Sequence, residues 1–437
     1  MTAYLLERAW VDGQVRDDVL VEIEDSRITS VTPSGQFMRL SGVATPDKRM
    51  DPRTSGDPCT RLPGLTLPGF ANTHSHAFHR ALRGRTQRGS GTFWTWREQM
   101  YAVAARLDPD LYFDLARATY AEMLAAGYTS VSEFHYVHHQ PDGTPYDDPN
   151  ALGHALVAAA ETTGIRLTLL DTCYLAGGIG VPLGDAQRRF GDGDADRWAE
   201  RVAAIEHHDV GGAIHSVRAV PRDQMRTVVA ATRNKPLHAH VSEQPAENEA
   251  CLAAYGLTPT ALLAEEGALG PDTTAVHATH LTDADIRLLA DSDTEVSLCP
   301  TTERDLGDGI GPARALTDAG VRIGVGSDSQ AVVDPFEEIR AVEMDERLAS
   351  LSRGRYAAAD LLTRTAGRIA VGEPADLVTL DLASPRTAGT GADEHTAVFA
   401  ATAADVTHVV AGGRVVFDGD HGRVGRDLAA AIERLWA

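Results

Sequence analysis

The sequence predicts an α/β protein, a (β/α)8 TIM-like barrel over residues 68–365, with a small β-sandwich domain built from the two terminal segments, 1–67 and 366–437. Three observations carry that reading. Between residues 68 and 365 short apolar runs alternate with Ala- and Leu-rich helical stretches, the texture of parallel βα units. Eight such runs can be picked out, which suits a closed barrel better than an open doubly wound sheet. No phosphate-binding GxGxxG or P-loop motif follows the early runs, which argues against a nucleotide-binding sheet.

From the N-terminus, Val19–Ile23 and Ile28–Val31 are β-branched runs set off by Asp12-Gly13 and Asp25-Ser26, so the chain opens on a small antiparallel sheet. Residues 40–63 are rich in Pro, Asp, Arg, Gly and Thr without periodicity and read as a surface loop with no chemistry of its own. The predicted barrel strands are Leu67–Asn72, Ser130–Phe134, Leu167–Leu170, Ala213–Val217, Leu237–Val241, Ala275–Ala278, Glu295–Leu298 and Arg322–Gly326. Helix-length segments such as Leu111–Ala126 and Ala151–Thr163 separate them. After Asp360 the chain passes through Leu361–Gly367 into a closing sheet, where Ala375–Leu380 and Val406–Phe417, broken by Gly412-Gly413, supply strands and a hairpin.

Composition narrows the function classes. A net charge of −22 repels phosphate backbones and anionic lipid surfaces, so nucleic-acid and membrane partners are disfavoured. Residues 1–25 carry charges throughout and lack the apolar stretch of a signal peptide, which points to the cytoplasm. Cys59, Cys173, Cys251 and Cys299 form no CxxC pair and read as reduced, mostly buried thiols.

The candidate chemistry sits at strand ends. His74 and His76 follow the first barrel run and, by the alternation of strand side chains, point the same way. An HxH pair is a weak signal alone. It gains force because His240, His277 and Asp328 each end a different predicted strand, where the βα loops of a barrel meet. Of the two histidines in Leu237-His238-Ala239-His240, the later lies nearer that rim, so His240 is the ligand and His238 a packing residue. Three neutral imidazoles and a carboxylate, with a position left for water, describe a catalytic rather than a structural metal site. One divalent ion is expected, zinc by default, although the same donors accept iron. The bland alternatives are a helix N-cap for Asp328, a helix-terminal acid for Glu243 and surface ion pairs for Arg97 and Arg218.

These residues resemble the amidohydrolase superfamily, whose barrels place HxH after strand 1, His after strands 5 and 6, and Asp after strand 8. Its binuclear members bridge two metals through a strand-end Lys or Glu. The only lysines here, Lys48 and Lys235, lie at no strand C-terminus, so the resemblance implies one metal, held by His74, His76, His240 and Asp328. The HxxE spacing of His240–Glu243 is that of the deaminase branch. The segments HSHAFHRALRG (74–84), FWTWREQMY (93–101), EFHYVHH (133–139), HSVRAV (215–220) and HATH (277–280) are similar, more narrowly, to the formimidoylglutamate deiminases of histidine breakdown.

That likeness implies hydrolysis of N-formimidoyl-L-glutamate to N-formyl-L-glutamate and ammonia by a homodimer. It assigns Asp328 to the water proton, Glu243 to the leaving nitrogen and His277 to the oxygen of the intermediate. It assigns Arg97, Tyr136, His215 and Arg218 to a small dicarboxylate substrate. His79 stands where some members have Gln, and the segment after Asp360 is short for the family's final helix. Arginine suits this substrate independently, because its planar fork matches a carboxylate. The rival readings are a nucleobase or nucleoside deaminase of the same superfamily, and a non-catalytic assembly protein on the same barrel.

Overall fold

The computed structural model describes residues 2–33 and 59–437. Near the N-terminus lie β1 (Thr2–Val11), β2 (Gln14–Glu24), β3 (Arg27–Pro33) and β4 (Cys59–Pro68). Eight parallel strands follow: β5 (Phe70–Ser75), β6 (Tyr128–His135), β7 (Arg166–Cys173), β8 (Val210–Ile214), β9 (Leu237–Val241), β10 (Thr273–His277), β11 (Glu295–Leu298) and β12 (Ile323–Val325). They neighbour one another in chain order. Every residue of β8, β9 and β10 is buried, as expected of parallel strands covered on both faces.

The ring closes between β5 and β12 through a single parallel bridge, Ser75 to Asp328. There the Asp328 N–H donates to the His74 carbonyl at 3.0 Å and the His76 N–H to the Asp328 carbonyl at 3.1 Å. Gly326 permits that approach, since a Cβ at this position would lie 2.6 Å from the His74 carbonyl oxygen. The seam of the barrel therefore brings HxH and Asp328 together.

Local signals set the helices. In Pro109–Ala126 the Asp108 side chain caps the Leu111 N–H at 2.8 Å, proline opens the first turn, and Gly127 at φ 108° ends the helix. Leu115, Tyr120 and Met123 form its buried face, and the chain then enters β6.

The termini form one seven-stranded mixed sheet, adding β13 (Leu377–Leu380), β14 (Val406–Ala411) and β15 (Arg414–Phe417) in the order β15-β14-β13-β4-β1-β2-β3. β4 runs parallel to β1 and antiparallel to β13, so it joins the N- and C-terminal parts. A separate core of Tyr4, Leu6, Val21, Leu62, Leu377 and Val410 holds this sheet. Gly412 and Gly413, at φ 53° and 80°, make the hairpin turn that the glycine pair predicts.

Three details differ from the expectation. The run Leu67–Asn72 is not one strand: it breaks at Gly69, where a Cβ would meet Thr129 Oγ1 at 2.3 Å, and its halves belong to different sheets. Residues 59–63 of the predicted loop form the start of β4, while 40–58 lie outside the described residues. The chain ends in a helix, His421–Trp436, which packs on the barrel helix Pro109–Ala126 and not within the small sheet. Trp436 Nε1–H donates to the Ala81 carbonyl at 3.3 Å. The last helix before the closing sheet is short, Ala358–Thr365. Cys173, Cys251 and Cys299 are buried, and among the described residues no helix is long and apolar enough to cross a membrane.

Candidate active site

His74, His76, His240 and Asp328 offer ligand atoms that all lie within 4.8 Å of one another, and all four residues are buried. Asp328 Oδ1 is 3.3 Å from Nε2 of both His74 and His76. His240 Nε2 is 3.1 Å from His74 Nε2. The backbone fixes two of the tautomers. His76 Nδ1 faces the Phe134 carbonyl at 2.8 Å and His240 Nδ1 faces the His215 carbonyl at 2.9 Å, so each carries its proton on Nδ1. Their Nε2 lone pairs are left to converge on Asp328.

Electrostatics favour a cation at that point. Burial holds all three imidazoles below their ordinary range, so they are neutral at pH 7. Burial opposes the charge on Asp328 too, but the hydrogen bond from His74 and the surrounding imidazoles hold its carboxyl well below the usual range. Neutral imidazole nitrogens and an ionised carboxylate are what a zinc-type ion needs. The donor set fits a mononuclear divalent metal.

Behind it, Ser75 donates to Glu133 Oε2 at 2.7 Å and the Ala77 N–H to Glu133 Oε1 at 2.6 Å, while Gln330 Nε2 donates to Ser75 Oγ at 2.9 Å. Asn72 Nδ2 donates to Ser327 Oγ at 2.7 Å. These bonds tie the HxH segment to the loop that carries Asp328.

His277 and Glu243 stand beside the donor set. His277 ends β10 with a φ of 67°, a left-handed conformation that turns its ring into the site. Its Nε2 lies 3.7 Å from Glu243 Oε1 and 3.9 Å from Asp328 Oδ2, and its Nδ1 lies 3.4 Å from Glu303 Oε1. Burial works against its charge, but Glu243, Glu303 and Asp328 push its pKa up to about 10, so it is an imidazolium at pH 7. Burial raises Glu243, against the pull of His277 and Arg218. The arrangement offers a base, a cationic hydrogen-bond donor and a carboxyl with raised proton affinity around one point.

The cavity over these groups is lined by His76, His79, Arg97, Tyr136, His215, Arg218, His240, Glu243, His277 and Asp328, with aromatic residues between them. All the site residues expected from the sequence are thus gathered except His74, which lies beneath the cavity floor, 0% exposed. A larger open groove beside it shares Arg218 but holds none of the metal donors, so the chemistry belongs to the smaller cavity. His79 Nε2 is 2.8 Å from the Tyr136 hydroxyl, and burial lowers its pKa to about 3, so it contributes a neutral ring. Arg97 stacks over Trp94 at 4.6 Å and Tyr101 at 5.7 Å. His238 is buried away from the cavity, and burial lowers it to about 3.

Sequence reasoning missed Glu303, whose Oε1 meets His277 and also accepts the Cys299 N–H at 2.9 Å, and Glu247, which pairs with Arg218. Both carried a signal. Glu303 lies a few residues beyond the end of β11, and Glu247 stands on the first turn of the helix that follows Glu243. Tyr174, whose ring is 4.4 Å from that of His215, left no comparable mark.

The sequence pattern of the Amidohydrolase family matches residues 65–416. A formimidoylglutamate deiminase of Pseudomonas aeruginosa is 38% identical over 416 residues, covering 88% of this chain and 92% of that one. A 5-methylthioadenosine/S-adenosylhomocysteine deaminase of Natronomonas pharaonis is 27% identical, covering 93% and 91% respectively. The crystal structure of an amidohydrolase from Brucella melitensis superimposes with a TM-score of 0.87 at 29% identity over 100% of both chains.

Proposed function

The chain belongs to the amidohydrolase family and is a hydrolase of C–N bonds, and we propose that its substrate is N-formimidoyl-L-glutamate, converted to N-formyl-L-glutamate and ammonia. One observation carries the choice of substrate. Two guanidinium groups, Arg97 and Arg218, line the cavity above the metal donors with their donors unspent. The Nε atoms of both are buried without a hydrogen-bond acceptor. Among the described residues Arg97 has no carboxylate partner, and the carboxylates nearest Arg218 stand at 3.6 Å and 3.7 Å, beyond direct hydrogen bonds. Buried donors left unpaired are costly, so the cavity is complementary to an anionic ligand with two acceptor ends. A neutral base or nucleoside would bring no negative charge to either arginine, which counts against the nucleoside-deaminase reading despite the similarity to such enzymes. The complete set of metal donors, His74, His76, His240 and Asp328, counts against the non-catalytic alternative.

His74, His76, His240 and Asp328 would hold the ion, which supplies Lewis acidity that makes water nucleophilic near neutral pH. Arg97 and Arg218 grip the two carboxylates, with Tyr136, His215 and His79 shaping the wall between them. Water adds to the amidine carbon as Asp328 accepts its proton. The His277 imidazolium donates to the oxygen of the tetrahedral species. Glu243 delivers a proton to the departing nitrogen, the proton held by Asp328 follows it there as the C–N bond breaks and ammonia leaves, and the hydroxyl proton returns to Glu243 as the formyl carbonyl forms. We take zinc as the ion, and on the strength of the resemblance place the enzyme in the cytoplasm as a homodimer acting in histidine breakdown.

Product analysis by mass spectrometry tests which bond breaks. N-formyl-L-glutamate with ammonia is expected; formamide with free glutamate would contradict the proposal.

A further inference from the structure

Glu247 is buried on the first turn of the helix Pro245–Tyr255, 1% exposed, and neither of its oxygens makes a hydrogen bond of good geometry. Its ion-pair partner is Arg218, with Oε2 3.7 Å from Nε. Arg218 in turn points Nη2 toward Glu243 Oε2 at 3.6 Å. Glu243 lies just before the helix and Glu247 on its first turn, and they hold the guanidinium between them, Glu247 at its Nε edge and Glu243 at its Nη end. Burial pushes the Glu247 carboxyl up to about 7, against the Arg218 charge that favours ionisation, so the charge on Glu247 is sustained by the arginine.

We infer that Glu247 is a positioning residue for substrate recognition: it anchors the Nε edge of Arg218, so that an incoming carboxylate takes the Nη donors and Glu243 is left to the reacting nitrogen. The inference rests on the proposed dicarboxylate substrate. Both ion-pair distances exceed hydrogen-bond length, so the guanidinium can form direct bonds to a ligand without first breaking any. Without the Glu247 charge, Glu243 is the one anchor of the pair that remains, and Arg218 is drawn toward it and away from the substrate.

The test is a double-mutant cycle in kcat/KM on N-formimidoyl-L-glutamate, using the metal-loaded parent, Glu247→Gln, Arg218→Met and the double variant. Glu247→Gln is expected to raise KM about tenfold or more with kcat within about threefold, a split that loss of folded protein does not produce. It should also weaken binding of N-formyl-L-glutamate by a similar factor in calorimetry. In the Arg218→Met background the same change should cost less than about twofold. Parent-like KM in Glu247→Gln, or an equal loss in both backgrounds, overturns the inference. Should Glu247→Gln fail to fold, Glu247→Asp, which withdraws the charge by one methylene, takes its place with the same expected rise in KM. A parent that turns over no formimidoylglutamate removes the proposed function and this inference with it. An active parent with insensitive Glu247 variants removes this inference alone.

Discussion

His74 Nε2 and His240 Nε2 stand 3.1 Å apart in a buried site. With the His240 proton held on Nδ1 by the His215 carbonyl, and burial disfavouring a charged ring, this contact brings donor atoms together for a cation. The seam between β5 and β12 brings Asp328 to the same point. Chelation should abolish activity, and zinc should restore it at about one equivalent per chain. Two equivalents, both required, would mean that a residue outside this donor set bridges a second ion. Elemental analysis alongside turnover decides.

Glu243→Gln keeps the shape of the side chain but removes the proton that the leaving nitrogen needs. Turnover should fall by about 10²-fold or more with metal content near the parental value. Activity like the parent's would take the general-acid role away from Glu243.

Arg97→Met and Arg218→Met should each lower kcat/KM for formimidoylglutamate by roughly two orders of magnitude, the effect of leaving a desolvated charge without its mate, about 2–5 kcal/mol. A neutral formimidoyl amine, already a poor substrate, should lose far less on either change. Near-parental kcat/KM in both variants would make the arginines structural.

Away from the site, His138 is buried, and burial together with the Arg201 charge lowers its pKa to about 4. The unfolded chain takes up this proton near pH 6.5 while the folded chain resists it. Stability linked to His138 is therefore present above about pH 6.5 and declines as pH falls toward 4, by up to roughly 3 kcal/mol. Unfolding free energies measured across pH 4.5–7.5 should slope less steeply in His138→Gln than in the parent. Equal slopes would remove His138 from the linkage.

Much of this was legible in the sequence because strand ends leave local marks. His74 and His76 show the two-residue period of a strand, and Gly324 and Gly326 mark the close approach before Asp328. The boundary at Gly69 was not legible, because the apolar run continues from Leu67 to Phe70 while the chain changes sheets. Nor does anything in its neighbours announce that the helix His421–Trp436 leaves the closing sheet, since its amphipathic face does not say which partner it covers. The Glu247–Arg218 and Glu303–His277 pairs join neighbouring βα units, and although each glutamate sits near a marked strand end, spacing does not say which residue it meets.

The central claim is the dicarboxylate substrate, and the most direct measurement is steady-state ammonia release by the zinc-loaded protein from N-formimidoyl-L-glutamate beside guanine, cytosine and adenosine derivatives. For formimidoylglutamate kcat/KM should lie at least about 10²-fold above that for any base or nucleoside, the scale set by leaving buried polar groups unpaired. Turnover of a base or nucleoside with none of formimidoylglutamate would contradict it.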